Sequence, residues 1–257
     1  MRLDGRRAIV TGGGRGIGRA TALALARAGA AVAVAARTPA DVDRVAAEAR
    51  TLGVRAHALA ADVSRVEDVK AMFRGAREAL GGVDILVNAA GIAPSAPLAK
   101  TTDEAWHSVI ETNLSGCFYC LREALPEMAE RGWGRAVTIA SIAGKSAMPY
   151  IAPYVASKHG VLGLTKVAAL EVARRGVTVN AVCPGYVDTP MTDAGIARIV
   201  EKTGRTADDV RRTLEDLSPQ KRIVTAEEVA ALVLYICSEE ARGITGQAMN
   251  VDGGTVM

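Results

Sequence analysis

The chain has 257 residues, of which 49% are hydrophobic, 23% charged and only 4% aromatic, and its formal net charge is +3. A chain of this length and apolar content buries a large core without disulfides or metals, which excludes disorder and small disulfide-rich folds. The scattered, nearly balanced charges argue against nucleic acid or a membrane surface as the main partner. The longest apolar runs fall short of the roughly 18 residues that a membrane span needs. The N-terminus lacks a signal-peptide pattern, so we expect a cytoplasmic protein.

Short apolar runs alternate with amphipathic stretches along the whole chain. This alternation predicts a doubly wound α/β (Rossmann) fold, with a parallel sheet of about seven strands and helices on both faces. No linker rich in proline, glycine or serine interrupts residues 1–257, so we predict a single domain. The predicted strands are 7–11, 31–37, 54–60, 83–88, 135–141, 177–182 and 248–251. The predicted helices are 16–28, 39–52, 66–80, 102–130, 153–174 and 226–238.

One segment breaks this alternation. Residues 190–219 are polar and charged, and they show helical periodicity without a strand. Open α/β sheets bind ligands beyond the carboxyl ends of their strands, so we interpret the segment as a helical substrate lid. A solvated helical hairpin without ligand contact is the alternative interpretation.

The first predicted strand ends in a glycine-rich turn, TGGGRGIG over residues 11–18, which opens the first helix. Glycine lets the backbone turn sharply and approach a pyrophosphate, whose charge faces the N–H groups at the helix start. A glycine run alone is weak evidence, because any tight turn favours glycine. Its position inside a β-α-β unit predicts a dinucleotide site.

The residue at the end of the second strand predicts which dinucleotide is bound. An acid there accepts a hydrogen bond from the ribose of NAD, but this position is Ala36, and Arg37 follows it. Arg15 in the glycine turn is a second cation, and two charge-assisted contacts of about 1.5–3 kcal/mol each favour a 2′-phosphate. We therefore expect NADP(H) to be preferred, with NAD(H) as the alternative if Arg37 only stacks on adenine. The nearest acid, Asp41, is predicted at the third position of the helix capped by Thr38.

Tyr154 and Lys158 lie four residues apart on a predicted helix, and therefore on one face. A phenol has a pKa of about 10 in water, which is too high for acid–base work at neutral pH. An ammonium group beside it favours the phenolate and lowers that pKa. Such a pair alone is usually structural, but together with the glycine turn it predicts an acid–base centre. Tyr150 has no lysine four residues later, and we expect it to line the pocket.

These motifs resemble those of the short-chain dehydrogenase/reductase family. The resemblance covers nearly the whole chain, and its one departure is Ala89, where the family commonly has a second asparagine. Three stretches, 153–166, 177–191 and 244–254, look most like β-ketoacyl reductases, including polyketide ketoreductases. The motifs, in the family's order and spacing, are TGxxxGxG, Asn88-Ala89-Ala90-Gly91, Asn113, Ser141, Tyr154-xxx-Lys158 and Pro184-Gly185.

The resemblance implies reversible hydride transfer between a nicotinamide and a ketone or secondary alcohol. It implies that Tyr154 exchanges a proton with the substrate oxygen and that Ser141 holds this oxygen. It further implies that Lys158 lowers the Tyr154 pKa and binds the nicotinamide ribose, and that Asn113 holds a water linking Lys158 to solvent. The implied cofactor-binding residues are Gly12, Arg15, Gly16, Ile17, Gly18, Arg37, Asp62, Val63, Asn88, Gly91, Tyr154, Lys158, Pro184, Gly185, Val187 and Thr189.

We therefore predict an NADPH-dependent enzyme that reduces a β-ketoacyl thioester or related ketone to a secondary alcohol. The alternative is an NAD-dependent 3-hydroxyacyl-CoA or secondary-alcohol dehydrogenase acting oxidatively. Two alternatives come from other functional classes. A non-catalytic nucleotide sensor is disfavoured because Asn113, Ser141, Tyr154 and Lys158 are all intact. A nucleic-acid-binding protein is disfavoured because the basic residues are scattered along the chain. The resemblance also implies a homotetramer, with the predicted helices 102–130 and 153–174 at its contacts.

We predict no metal site, because His57, His107 and His159 are dispersed and no acid cluster accompanies them. Cys117 and Cys120 have redox spacing but fall inside a predicted helix, so we interpret them as buried small apolar side chains.

Overall fold

The computed structural model describes residues 1–256, and seven parallel strands form its single sheet. The order of the strands is β3-β2-β1-β4-β5-β6-β7. The chain reverses its direction of growth between β1 and β4, which is the arrangement of a doubly wound sheet, so the predicted fold class is confirmed. The strands are β1 (Arg7–Thr11), β2 (Ala31–Ala36), β3 (Ala56–Ala60), β4 (Ile85–Asn88), β5 (Gly134–Ile139), β6 (Val177–Pro184) and β7 (Ala248–Val251).

Helices cover both faces of the sheet, as the near-continuous apolar strands require. One apolar core lies between the sheet and helices α1, α2 and α9, and the other lies beneath α3, α5 and α6. None of the helices within residues 1–256 is long and apolar enough to cross a membrane. The helices are α1 (Gly16–Arg27), α2 (Pro39–Arg50), α3 (Val66–Leu80), α4 (Asp103–Ile110), α5 (Gly116–Arg131), α6 (Ala152–Val172), α7 (Pro190–Thr203), α8 (Ala207–Asp216) and α9 (Ala226–Cys237).

The predicted helix 102–130 is divided into two. A π-helical turn, Glu111–Ser115, lies between α4 and α5 while the backbone stays helical from Asp103 to Arg131, so the predicted span is helical but is not one regular α-helix. The side chain of Asn113 inside this turn bonds the backbone of Ile92, which is distant along the chain. Such turns widen a helix and are frequent at functional sites.

The segment that breaks the alternation forms α7 and α8, as its periodicity predicted. Its ends meet, because Val187 and Val224 form an isolated parallel bridge, with Val224 N donating to the carbonyl of Tyr186 over 3.1 Å. A small apolar cluster of its own stabilises the segment, and its buried members are Ile196, Val210, Leu214 and Ile223. The two helices therefore form a compact flap on a narrow base that follows β6.

Candidate active site

The glycine-rich turn carries the chain from β1 into α1 along the edge of a groove. Gly12 has a φ of 64°, and a Cβ there would lie 2.6 Å from the backbone nitrogen of Ala90. A Cβ at Gly18 would collide with the carbonyl oxygen of Gly12. These two positions therefore require glycine. The close approach presents the free N–H groups of the first turn of α1 to the groove, where they favour an anion.

Two exposed arginines mark one end of this groove. Arg15 and Arg37 line it, and within residues 1–256 their side chains have no hydrogen-bond or ion-pair partner. Asp62 lies near them. Burial alone would raise the pKa of Asp62, but hydrogen bonds from Ser64 and the charges of Arg37 and Arg65 hold that pKa below its ordinary value.

Asp41 also lines the groove, but its carboxylate has a partner within α2. The Arg44 guanidinium lies 3.2 Å from Asp41 Oδ1 and donates to the carbonyl oxygen of Gly14 over 3.1 Å. Thr38 is the N-cap residue of α2, and Asp41 lies in the first turn of this helix, as predicted. This end of the groove therefore holds two free cations, and its nearest acid on α2 is already paired.

The groove is open to solvent. The charge pattern of the groove fits an extended dinucleotide. The two arginines lie at one end, the N-terminus of α1 lies in the middle, and Thr189 lies on the far side. A Cβ at Gly16 would lie 3.3 Å from Thr189 Cγ2, so the groove is narrow there. Ten of the predicted cofactor-binding residues line it, namely Gly12, Arg15, Gly16, Ile17, Gly18, Arg37, Asp62, Val63, Gly91 and Thr189.

Tyr154 lies on the first turn of α6, and its phenol faces Ser141 just beyond β5. Burial raises the pKa of Tyr154 above its ordinary value, and a hydrogen bond with the Ser141 side chain lowers it only in part. Ser141 Oγ accepts a hydrogen bond from the backbone nitrogen of Ala143 over 3.1 Å, so its own proton remains available to donate. The Tyr154 phenol is therefore protonated at neutral pH in this structure.

Lys158 is buried one helical turn further along α6. Burial lowers the pKa of Lys158 from 10.5 to about 8. Its Nζ donates to the carbonyl of Ile139 over 2.7 Å and lies 5.4 Å from the centre of the Tyr154 ring. The sequence predicted a lowered Tyr154 pKa, but in this structure the pKa is raised overall, because burial of the phenol outweighs the groups that lower it.

Asn113 fixes the π-helical turn against both the groove and α6. Its Nδ2 donates to the carbonyl of Ile92 over 3.0 Å and to Ser157 Oγ over 3.1 Å, while its Oδ1 accepts from the nitrogen of Ile92 over 2.9 Å. Both Nδ2 protons and one acceptor position of Oδ1 are thus engaged with protein atoms. A Cβ at Gly91 would lie 3.4 Å from Asn113 Oδ1 and 3.9 Å from Lys158 Nζ, so these residues meet at the groove wall.

Comparison with known proteins agrees with this geometry. Residues 12–256 match a family model described as enoyl-(acyl carrier protein) reductase. The matched region takes in the glycine turn, the groove and the Tyr154–Lys158 pair. The chain belongs to the short-chain dehydrogenase/reductase family.

Relatives of this short-chain dehydrogenase/reductase are oxidoreductases, and so is this chain. It is 39% identical over 255 residues to D-beta-hydroxybutyrate dehydrogenase of Cupriavidus necator, with 99% of each chain covered. It is 39% identical to the 3-oxoacyl-(acyl-carrier-protein) reductase of Staphylococcus epidermidis, covering 98% of this chain and 99% of that protein. Among solved structures, a variant of actinorhodin polyketide ketoreductase with NADPH has a TM-score of 0.94 and 40% identity, covering 99% of each chain.

Not every predicted cofactor-binding residue of this short-chain dehydrogenase/reductase lines the groove. Asn88 and Lys158 line a second, much smaller cavity that adjoins the groove at Val63, Ala90 and Thr112. Asn88 Nδ2 bonds Cys117 Sγ over 3.4 Å, and within residues 1–256 its buried Oδ1 has no partner. The others, which line neither cavity, are Tyr154, Pro184, Gly185 and Val187.

Cys117 and Cys120 are free and buried, which confirms the structural interpretation of their spacing. Burial raises the pKa of the Cys120 thiol well above its ordinary value, so this thiol stays protonated. Among the residues that the structure describes, no group of three or more His, Cys, Asp and Glu side chains is arranged to hold a metal ion.

The sequence analysis missed Ser157, which joins the two halves of the site. Its Oγ donates to the carbonyl of Tyr154 over 2.7 Å and accepts from Asn113 Nδ2. Ser157 thereby ties the π-helical turn to α6 between the two predicted catalytic residues. The sequence shows Ser157 three residues after Tyr154 and one before Lys158. It gave no reason to single this serine out, because a serine within a helix usually bonds only its own backbone.

Proposed function

We propose that this oxidoreductase uses NADPH to reduce a β-ketoacyl thioester or a related ketone to a secondary alcohol. The observation that carries this proposal is the meeting of the Tyr154 phenol and the Ser141 hydroxyl, with the Lys158 ammonium 5.4 Å from the Tyr154 ring. A nicotinamide cofactor bound in the groove would supply or accept the hydride. The relatives named as reductases and the ketoreductase structure with NADPH support the reductive direction.

In the proposed mechanism, the substrate carbonyl oxygen accepts hydrogen bonds from Ser141 and Tyr154. Ala143 N already occupies one acceptor position on Ser141 Oγ, which leaves the hydroxyl proton to point at the substrate. Tyr154 then gives its proton to the developing alkoxide. Burial raises the pKa of Tyr154 above its ordinary value, so the phenol carries the proton that it would give, but efficient transfer near neutral pH also requires a neighbouring charge that favours the phenolate.

Lys158 stabilises the Tyr154 phenolate that remains after this transfer. In the low-polarity surroundings that also depress the pKa of Lys158 to about 8, its charge acts on the phenolate with little screening. We propose that Asn113 carries the proton path onward through the π-helical turn, since it meets Lys158 at Gly91. A water there would bond the backbone of Asn113 or the second lone pair of its Oδ1, because both Nδ2 protons are engaged with Ile92 and Ser157.

We propose that the flap formed by α7 and α8 acts as the substrate lid. Met191 and Pro190 at the start of α7 line the same groove as Thr189. The flap therefore begins at the Thr189 side of the groove, where we propose that the nicotinamide lies, away from Arg15 and Arg37. Its narrow base at Val187 and Val224 suits a hinge.

The preference for NADPH rests on Arg15 and Arg37, and a charge-reversal variant tests it. We expect wild-type protein to bind NADP⁺ about tenfold or more tighter than NAD⁺ in calorimetry at fixed salt, which corresponds to about 1.4 kcal/mol. Arg37→Asp is expected to lower this ratio of affinities by about tenfold or more, because it removes one charge-assisted contact and repels the 2′-phosphate.

The matched control for this experiment is Arg74→Asp on α3, which changes the net charge identically. Arg74 is exposed and, within residues 1–256, has no ion pair. An unchanged NADP⁺ to NAD⁺ ratio in Arg37→Asp would refute the assignment of Arg37 to the 2′-phosphate.

A second candidate function is the oxidation of a 3-hydroxy acid or its thioester with NAD⁺. The observation that favours it is the 39% identity to a D-beta-hydroxybutyrate dehydrogenase over nearly the whole chain. Initial rates separate the two candidates, with acetoacetyl-CoA plus NADPH in one assay and D-3-hydroxybutyrate plus NAD⁺ in the other. Tighter binding of NAD⁺ together with faster oxidation would make the dehydrogenase the better assignment.

We also propose a homotetramer that uses the outer faces of α5 and α6. Leu170 is 80% exposed and Val167 is 54% exposed on α6, while Phe118 is 41% exposed on α5, which leaves apolar area that a neighbouring subunit would cover. Leu170→Glu is expected to shift the molar mass in light scattering from tetramer toward dimer or monomer, whereas Leu52→Glu on the opposite side should not. A monomeric wild type would contradict the proposal.

A further inference from the structure

The end of the groove that contains Arg15 and Arg37 (the arginine end) also contains an acid. Asp41 lines the groove together with these two cations and Gly14. A Cβ at Gly14 would lie 2.8 Å from Asp41 Cβ, so the glycine turn packs directly on the first turn of α2. An unpaired carboxylate at this end would repel a 2′-phosphate, whereas the two arginines would attract it. The charge on Asp41 therefore opposes the binding that we propose for the arginine end.

Helix capping accounts for the position of Asp41 but not for the state of its carboxylate. A negative charge in the first turn of α2 is favourable to the helix. The N-cap residue, Thr38, makes no side-chain capping bond, so a reciprocal capping box is not formed. Within residues 1–256, the hydrogen-bond and ion-pair partner of the Asp41 carboxylate is Arg44 alone. The exposed charge of this acid is therefore controlled by one guanidinium.

Arg44 lies three residues after Asp41 on α2, outside the set of residues that line the groove. Its Nη2 donates to Asp41 Oδ1 over 3.2 Å and to the carbonyl oxygen of Gly14 over 3.1 Å. One guanidinium thus joins the acid to the glycine turn. Exposed ion pairs on a helix are usually mobile and weak, but the bond to a backbone carbonyl holds this guanidinium beside the carboxylate.

We infer that Arg44 is a positioning residue for cofactor specificity, which neutralises Asp41 so that Arg15 and Arg37 can bind a 2′-phosphate. This inference rests on the proposed preference for NADPH and adds a determinant outside the groove. Sites that select NAD place an unpaired acid at the end of the second strand, which here is Ala36. Without Arg44, the Asp41 carboxylate would supply an unpaired acid at the same end of the groove.

A cycle of four proteins tests the inference, with the NADP⁺ to NAD⁺ affinity ratio measured by calorimetry at one low salt concentration. Arg44→Met is expected to lower the ratio about three- to tenfold, because a 2′-phosphate carries nearly two charges but solvent screens the open groove. Asp41→Asn is expected to raise the ratio by up to a similar factor, because it leaves the Arg44 cation unpaired. The double variant should return to within about twofold of the wild type, because it removes one charge of each sign.

Measuring a ratio separates this role from a purely structural one. Loss of the Arg44–Gly14 bond alone would loosen the turn that faces the pyrophosphate, and would weaken the binding of both dinucleotides equally. The fragments 2′,5′-ADP and 5′-AMP differ by the 2′-phosphate alone and lack the nicotinamide half. Their affinity ratio should follow the same order in the four proteins, and the differences should shrink in about 0.5 M salt.

Asp43→Asn on the same helix and Arg74→Met on α3 are the matched controls. Both residues are exposed, lie outside the groove lining and have no ion pair within residues 1–256. Each control makes the same change of charge as one member of the cycle and should leave the ratio within about twofold of the wild type. Thermal unfolding of every variant separates a loss of folding from a loss of specificity.

An unchanged ratio in Arg44→Met would overturn the inference. A double variant with a ratio as low as that of Arg44→Met would also overturn it, because Arg44 would then act on the nucleotide by a route that does not involve Asp41. A wild type that binds NAD⁺ tighter than NADP⁺ would contradict the proposed preference for NADPH itself, which is a result distinct from either of these.

Discussion

Tyr154→Phe is expected to lower kcat for ketone reduction by about 10²- to 10⁴-fold, the usual contribution of a positioned general acid. The change removes only the phenolic oxygen, so the ring still fills its place on α6. Ser141 can still hold the substrate oxygen, but no group of suitable acidity then delivers a proton to the alkoxide. Steady-state kinetics with NADPH and acetoacetyl-CoA measure this loss.

Cofactor binding provides the internal control for Tyr154→Phe. The affinity for NADP⁺ is expected to stay within about threefold, because phosphate and arginine contacts supply most of it. Tyr235→Phe on α9, a half-exposed tyrosine remote from the groove, is the matched substitution and should retain full kcat. If Tyr154→Phe retained its activity, Tyr154 would not be the proton donor, even though it lies beside Ser141.

The strands and the glycine turn were predictable because each depends on short-range chemistry. The runs at 7–11 and 248–251 correspond to β1 and β7 with their observed bounds, because a short run rich in apolar and β-branched residues between turn signals is typical of a strand in a parallel sheet. The glycine turn was predictable because its conformation requires glycine: any side chain at Gly18 would collide with the carbonyl of Gly12. Local sequence therefore predicted both the fold and the glycine turn at the edge of the groove.

The π-helical turn at Asn113 was not predictable in the same way. Its residues have helical periodicity, and the widening depends on hydrogen bonds to Ile92 and to Ser157 on a different helix. Those partners come together only in the folded chain. The pKa values of Tyr154 and Lys158 were not predictable for the same reason. Spacing placed Lys158 one turn from Tyr154, but the burial that decides both pKa values belongs to the tertiary structure.

Lys158→Met is expected to reduce kcat by roughly 10²-fold or more, because the Tyr154 phenolate loses its neighbouring charge. It is also expected to raise the free energy of unfolding at pH 7. A pKa lowered from 10.5 to about 8 means that folding disfavours the Lys158 ammonium by about 3 kcal/mol. Loss of the bond to the Ile139 carbonyl offsets about 1 kcal/mol, which leaves a net gain of about 2 kcal/mol.

The sign of the pH dependence follows from the same depressed pKa of Lys158. Below pH 8 the folded and unfolded states both hold the Lys158 proton, and the wild type bears the full penalty. Between about pH 8 and the ordinary lysine value near 10.5, the unfolded state holds more protons, so wild-type stability rises with pH. The advantage of Lys158→Met should therefore be largest at pH 7 and shrink by pH 10. Urea unfolding at both pH values and one protein concentration measures it.

Lys166→Met, two turns further along α6, is the control because Lys166 is exposed and has no described partner. It should alter neither kcat nor the pH dependence of unfolding. If the Lys158→Met variant were less stable than the wild type at pH 7, the contacts of the Lys158 ammonium would stabilise the fold by more than the free energy that its burial costs. A variant that is both more stable and inactive would instead identify Lys158 as a charge buried for catalysis, retained at the expense of stability because the Tyr154 phenolate requires it.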